Sequence, residues 1–422
     1  MSKRTFRNTF YTHDNLYVLS GLNSELVDLI YLDPPFNSKR MYSAPVGSKA
    51  AGASFKDMWT WKDVDEYYID ALADNFPALA KYIASVGAIH SKPMMAYLAY
   101  MAQRIVEMHR ILKETGSLYL HCDPTASHYL KSLLDGIFGT NNFRNEIIWH
   151  YGAGHPPKKD FARKHDVLLR YSKSNKYVFY SDDKIMRIPF KDTATKMHFT
   201  NVDADGRRYR KYDSGKIAYL DEGKVITDVW TDIDSQKATS PISAEYTGYP
   251  TQKPLDLLKR IVTASSKEDD IVMDPFCGCA TTCVAAQHLG RKWIGIDIEK
   301  QSATILIERL SEGAELFRDF AATSQIPKRS DVQEEPLSKS VKQRLYKEQN
   351  GKCNACGTKF EIHHLEIDHI LPKSKGGGDY YENYQLLCGS CNRIKGDRPM
   401  EYLRMKIETR ERMMKTKVFF GE

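Results

Sequence analysis

Between Ile271 and Asp297 the chain reads IVMD, PFCGCA, TTCVAAQHLG and KWIGID. A short apolar run, a turn, a helix-length segment and a second apolar run make a strand–turn–helix–strand unit. Two strands joined through a helix pair in parallel, so this stretch commits the chain to an α/β domain. It also places a ligand beyond the carboxyl ends of the strands, where helix N–H groups are unpaired. Asp274, Phe276, Gly278, Cys279, Ala280 and Thr281 lie there. Gly278 permits close backbone approach, and Thr281 or Thr282 can cap the helix. Asp297 ends the next strand, where an acid can accept both hydroxyls of a ribose. A GxGxxG fingerprint is absent, which counts against a dinucleotide. An ordinary strand–turn–helix with a surface acid remains the bland alternative at this point.

A second strand-length run, VDLIYL, stops at Asp33-Pro34-Pro35-Phe36. The two prolines hold the following loop rigid and extended. Asp33 and the carbonyl of Pro34 can then accept hydrogen bonds from one amino group, and Phe36 offers a face on which a base can stack. An exocyclic base amine is a poor nucleophile, because its lone pair is delocalised into the ring. Two acceptors localise that lone pair and stabilise the positive charge that grows during attack on a methyl sulfonium. Asp-Pro-Pro is also a common turn after a strand, so this motif alone does not decide.

The remaining elements are expected as follows. Residues 40–115 read mostly as helix, with a long amphipathic stretch from Met94 to Leu112. Short strands are expected at 117–121, 147–150, 167–171 and 177–180, and a helix at 253–265. Residues 181–250 are polar and turn-rich. A polar stretch at 321–340 reads as a linker, followed by a small module over 341–422. At about 150 residues per domain, 422 residues suit two or three domains.

The two motifs, in this order, resemble the DNA amino-methyltransferases of the β arrangement, in which a DPPF loop precedes a DPFxGSGTT cofactor motif. Tyr249-Pro-Thr-Gln-Lys-Pro254 before a helix matches the element that family places ahead of its cofactor strand. The resemblance covers residues 8–315. It implies a Rossmann-like S-adenosylmethionine-dependent methyltransferase domain over 1–320, with a target-recognition region inserted at about 151–250. It assigns Asp33, Pro34, Pro35 and Phe36 to catalysis, and Lys253, Pro254, Asp274, Phe276, Gly278, Cys279, Ala280, Thr281 and Asp297 to the cofactor. The family's usual Gly-Ser-Gly is Gly278-Cys279-Ala280 here. No Pro-Cys pair occurs, which argues against a carbon-5 cytosine enzyme. DPPF points to adenine N6 as target, with cytosine N4 as the alternative.

Near the C-terminus, Cys353-x-x-Cys356 and Cys388-x-x-Cys391 stand 31 residues apart. Paired CxxC knuckles are the ligand pattern of structural zinc, and a small module lacks the core to do without it. Between them lie Asp368-His369-Ile-Leu-Pro, a glycine run and Asn383, and after the second knuckle comes Asn392. This pattern closely resembles the HNH, or ββα-metal, endonucleases. The resemblance assigns Asp368 and Asn392 to one Mg²⁺ or similar hard cation, His369 to the general base, and Asn383 to holding the ββα turn.

Charge supports a polyanionic partner. Lys and Arg number 61 against 54 acids, for a net +7. The excess is concentrated: 17 against 11 over residues 339–422, and 16 against 8 over 151–220, the latter with eleven Phe or Tyr. Double-stranded DNA is the expected partner, with Lys158-Lys159 and Arg207-Arg208 as candidate phosphate contacts. No apolar run is long enough for a bilayer and the N-terminus has no h-region, so a bacterial or phage-infected cytoplasm is expected. The oligomeric state is open, a dimer included. Two rival readings are a methyltransferase whose C-terminal module only binds DNA, and a non-catalytic DNA-binding protein with decayed motifs.

Overall fold

The computed structural model describes residues 7–38, 40–45, 47–64, 72, 76–152, 157–190, 197–311, 320–375, 377–398, 400, 403, 406 and 407. The chain divides into two compact units, and neither is one continuous stretch. The first comprises 1–12, 26–57 and 112–324; the second comprises 13–25, 58–111 and 325–422.

The first unit is built on a nine-stranded sheet. Its strands are β1 (Asn8–Thr12), β2 (Val27–Leu32), β3 (Leu112–Cys122), β4 (Phe143–His150), β5 (His165–Ser172), β6 (Val229–Trp230), β7 (Ile271–Asp274), β8 (Lys292–Asp297) and β9 (Phe320–Thr323). Their order across the sheet is β6-β4-β5-β3-β2-β7-β8-β1-β9. The strands from β3 to β9 in that order pair in parallel. β5 runs antiparallel to both β3 and β4. β2 and β7 are buried along their whole length, the continuous apolar signature of a strand covered on both faces.

Of the helix-period expectation for 40–115, helices are found at Pro77–Ile89 and Lys92–Ile111, and Leu112 begins β3; residues 65–71 and 73–75 lie outside the described residues. Arg40–Ser43 and Ser54–Asp57 instead form an antiparallel hairpin, held by Asp57, which accepts from the Ser38 N–H at 2.9 Å. Residues 177–180, expected as a strand, pair with no strand. Val178 and Tyr180 each donate a single backbone bond, to Thr115 and Ala264. Within 181–250 the short strands 201–202, 208–211 and 217–219 make a small antiparallel sheet. The stretch expected as a linker begins inside β9.

The second unit contains α1 (Asn15–Gly21), α2 (Pro77–Ile89) and α3 (Lys92–Ile111). Arg104 ties α3 to the start of α1 through Asn15 at 2.6 Å and Asp14 at 3.0 Å. Residues 325–331 are pinned here as well. Ser330 exchanges hydrogen bonds with Asn23, and the Ser24 N–H donates to Asp331 at 2.8 Å. The same unit holds the C-terminal module. There β10 (Leu365–His369) and β11 (Tyr384–Cys388) pair antiparallel ahead of a short helix, Gly389–Lys395. Its core gathers Val341, Leu345, Leu365, Leu386 and Leu387 beside Cys353, Cys388 and Cys391. Among the described residues no helix is long and apolar enough to cross a membrane.

Gly295 in β8 is a tight point of the sheet. A Cβ there would lie 2.8 Å from Phe10, and 2.9 Å from the sulfurs of both Cys277 and Cys283. Gly295→Ala is expected to destabilise the protein by about 1–3 kcal/mol, as overpacking does. Chemical denaturation followed by circular dichroism measures it.

Candidate functional site

Parallel pairing of β2, β7 and β8 brings three strand ends side by side. Met273 sits opposite Ile30, and Asp274 opposite Gly295. The loop at Asp33, the turn at Asp274 and the acid Asp297 therefore emerge at one edge of the sheet.

The turn after β7 is self-bonded. One oxygen of Asp274 accepts the Phe276 N–H at 3.0 Å and the other the Thr282 hydroxyl at 2.5 Å. Burial pushes the Asp274 carboxyl up to about 7. Its role in this structure is to shape the turn. Gly278 has φ +51°, and a Cβ on it would lie 3.0 Å from the Tyr249 ring. Only glycine fits that conformation and that approach. Ala280 caps the following helix, Thr281–His288, with φ +62°, so this alanine occupies a position that favours glycine. The strain is of order 1 kcal/mol. Arg309 braces the turn, donating to the Cys279 carbonyl at 2.7 Å and the Thr281 hydroxyl at 2.9 Å. Asp297 accepts the N–H groups of Gly278 and Glu299 at 2.7 and 2.8 Å, and burial pushes its carboxyl up to about 6. A glycine-lined turn with a half-buried acid at the next strand end fits a nucleoside-bearing cofactor.

Asp33 lies beside this turn, with a side chain 16% exposed. Its Oδ2 pairs with the Lys253 ammonium. Its Oδ1 is buried without a partner. Lys253 sits on the Tyr249–Pro254 element, which is folded by Gln252: its carbonyl accepts from Thr247 Oγ1 at 2.7 Å, and its amide donates to the Glu245 carbonyl at 2.6 Å. Pro254 then caps the helix Leu255–Ser265. Lys253, assigned to the cofactor from the sequence, is thus bonded to the Asp33–Phe36 loop, with its ammonium 5.4 Å from the Phe36 ring centre. Phe36 stacks on His121, with ring centres 6.2 Å apart.

Of the candidate phosphate contacts, Arg207 is engaged. It pairs with Asp221 and Glu222, and its guanidinium lies over the Tyr219 ring at 3.9 Å. Lys158, Lys159 and Arg208 are exposed.

In the C-terminal module the sulfurs of Cys353, Cys356, Cys388 and Cys391 all lie within 4.8 Å of one another. Four thiols at this spacing suit tetrahedral zinc. Asn383 is buried and bridges the turn, accepting the Leu371 N–H at 2.7 Å and donating to the carbonyls of Leu371 and Gly378. Asp368 and Asn392 are held by different partners. Asp368 lies 2.9 Å from the ammonium of Lys395, which is fully buried, and accepts from Gln385 at 2.8 Å. Asn392 donates to Glu366 at 2.6 Å. The Lys395 ammonium thus opposes the Asp368 charge. His369 Nε2 lies 2.9 Å from Asp379 Oδ1. Lys373 above all, with His369, holds the Asp379 carboxyl down at about 2.

Sequence reasoning missed Arg309, Glu366, Asp379 and Lys395, and it did not pair Lys253 with Asp33. Glu366 and Lys395 lie within the HNH pattern, two residues before Asp368 and three after Asn392. The others carry no local signal.

Comparison with known proteins follows the same division. The HNH endonuclease family matches residues 353–398. The chain is 29% identical over 366 residues to the type II methyltransferase M.EcaI of Enterobacter cloacae, covering 75% of this chain and 72% of the relative. It is 26% identical over 328 residues to the DNA adenine methyltransferase YhdJ of Escherichia coli strain K12, covering 76% and 90%. It is 31% identical over 227 residues to the type II methyltransferase M.BglII of Bacillus subtilis, covering 52% and 58%. The DNA methylase family (N6_N4_Mtase) matches residues 27–308, a span that holds the Asp33 loop, Lys253 and the Asp274–Asp297 turn together, and the chain belongs to that family.

Proposed function

We propose that this chain transfers a methyl group from S-adenosylmethionine to the exocyclic amine of a base in double-stranded DNA, with adenine N6 as the preferred target, and that its C-terminal module cleaves DNA with a divalent cation. The domains on this reading are a methyltransferase over 1–320 with a recognition region at 151–250, a linker at 321–340 and an HNH nuclease at 341–422. The observation that carries the first activity is Asp33: one carboxylate oxygen is paired with Lys253 and the other is buried and unpartnered. A buried acceptor without a donor costs about 1–3 kcal/mol, which an incoming amine recovers. The aromatic ring of Phe36 is positioned beside it to hold the base plane.

When bound, S-adenosylmethionine supplies the methyl sulfonium. Phe276, Gly278 and Asp297 bind and orient the nucleoside, on a turn shaped by Asp274 and Thr281. Asp33 and the Pro34 carbonyl accept from the amine, hold its hydrogens out of the ring plane, and oppose the charge that develops on nitrogen as the new bond forms. Lys253 keeps Oδ2 engaged, so Oδ1 faces the substrate. Adenine as target is supported by the DPPF loop and by the relative named an adenine methyltransferase.

In the nuclease, Asp379 fixes His369 through Nε2, which leaves Nδ1 as the nitrogen that accepts a proton from water. Asp368 and Asn392 would hold the cation, with Glu366 beside them. Zinc on the four cysteines would stabilise the fold and take no part in chemistry.

Asp33→Ala is expected to lower methyl transfer from labelled S-adenosylmethionine to unmethylated DNA by at least about 100-fold while cofactor affinity stays within a few-fold. Asp297→Ala should do the reverse, weakening cofactor binding. Substantial methylation by Asp33→Ala would sink the assignment.

Metal analysis should find one zinc per chain. Stripping it with a chelator is expected to unfold the C-terminal core while leaving methylation measurable, because the residues around Asp33 and Asp297 belong to the other unit.

His369→Ala should abolish metal-dependent plasmid cleavage, by on the order of 100- to 10,000-fold, with zinc content and methylation unchanged. Asp368→Ala should also lose cleavage but recover part of it at high Mn²⁺. A wild-type protein that cuts no DNA with any divalent cation makes the module a DNA-binding one.

A further inference from the structure

The carboxyl ends of β2, β3 and β4 and the amino end of β5 carry a polar chain that neither activity has yet used. His121, the penultimate residue of β3, has no solvent exposure. Its Nδ1 lies 2.9 Å from the hydroxyl of Tyr31 in β2, and its Nε2 lies 3.0 Å from Asp166 Oδ2 in β5. The other Asp166 oxygen accepts the Tyr151 hydroxyl at 3.2 Å. Antiparallel pairing of β3 with β5 sets His121 opposite Leu168, which brings the first residues of β5 to the strand end where His121 lies. One face of the imidazole is stacked on Phe36 at an interplanar angle of 26°, and Trp149 meets the ring edge-on at 5.8 Å.

We propose that His121 and Asp166 are positioning residues for methyl transfer, acting through the ring of Phe36; the inference rests on Asp33–Phe36 being the catalytic loop. An apolar side chain would fill the same space without any polar group to satisfy. A histidine bonded at both nitrogens provides a ring whose tilt is fixed by two partners on two different strands. Phe36 inherits that tilt by stacking. Burial pushes Asp166 up, but its bonds from His121 and Tyr151 and the nearby Lys253 charge together hold it below the usual carboxylate range. It therefore remains an acceptor for both donors. A base resting on Phe36 must present its amine to Asp33 within a fraction of an ångström, since a misplacement of about 1 Å can cost 100-fold in rate.

A double-mutant cycle separates this role from a purely structural one. Asp166→Asn and Tyr31→Phe are each made alone and together with Phe36→Leu. Tritium transfer from labelled S-adenosylmethionine to unmethylated phage DNA gives kcat and the KM for each substrate, and equilibrium dialysis gives cofactor affinity. Asp166→Asn is expected to lower kcat by about tenfold or more, with cofactor affinity unchanged within about twofold, and to cause little further loss once Phe36 is leucine. Tyr31→Phe removes one hydroxyl and keeps the packing; its smaller loss should vanish in the same background, and it decides the matter if Asp166→Asn does not fold. Losses that multiply with that of Phe36→Leu, or a loss confined to cofactor affinity, would overturn the inference while leaving the catalytic loop in place. Full activity of Phe36→Leu would remove the loop assignment itself, and this inference with it.

Discussion

The parallel register of β2, β7 and β8 is the constraint on which the methyltransferase half depends. With Met273 opposite Ile30 and Asp274 opposite Gly295, three strand ends stop within a residue or two of one another. Each places an acid at or just past its end: Asp33, Asp274 or Asp297. A shift of one residue in any pair would turn that strand's side chains to the other face and move its loop away from the other two. Burial of β2 and β7 along their full length locks the register. The glycine at 295 helps, because any larger residue would press on Phe10 and on two buried sulfurs.

The three acids divide their work by environment. Asp274 spends both oxygens on its own turn. Asp297 is bonded to backbone N–H groups and raised by burial. Asp33 alone keeps a buried oxygen free of partners, while Lys253 compensates the other. A desolvated acceptor of this kind is costly until a donor arrives, and on the proposed mechanism that donor is the reacting amine. The C-terminal module differs: His369 is paired with Asp379, and the buried Lys395 opposes Asp368, so these side chains are oriented by neighbours.

The division of the chain into two discontinuous units has a physical origin in short-range bonding. Arg104 binds the start of α1, and residues 325–331 bond to Asn23 and Ser24. Within 321–340, polar Arg329, Ser330 and Asp331 supply the bonds to Asn23 and Ser24. Polarity along a sequence does not distinguish a solvated linker from a segment tied down by its own hydrogen bonds.

What the sequence determined by itself was whatever is written in consecutive residues. The strand–turn–helix–strand at Ile271–Asp297, the Asp33–Phe36 loop after a buried strand, and the paired cysteines were all legible, because local periodicity, proline and glycine placement and ligand spacing are properties of short stretches. The role of Asn383 came from the resemblance to the HNH endonucleases. What only the tertiary structure decided were pairings across long separations: Lys253 with Asp33, Arg309 with the Cys279 turn, and Asp166 with His121. No local rule reports which of many lysines meets a given carboxylate. The hairpin at 40–57 escaped too, since its strands are four residues each and their pairing is fixed by Asp57 reaching back to the Ser38 backbone rather than by any alternation in the sequence.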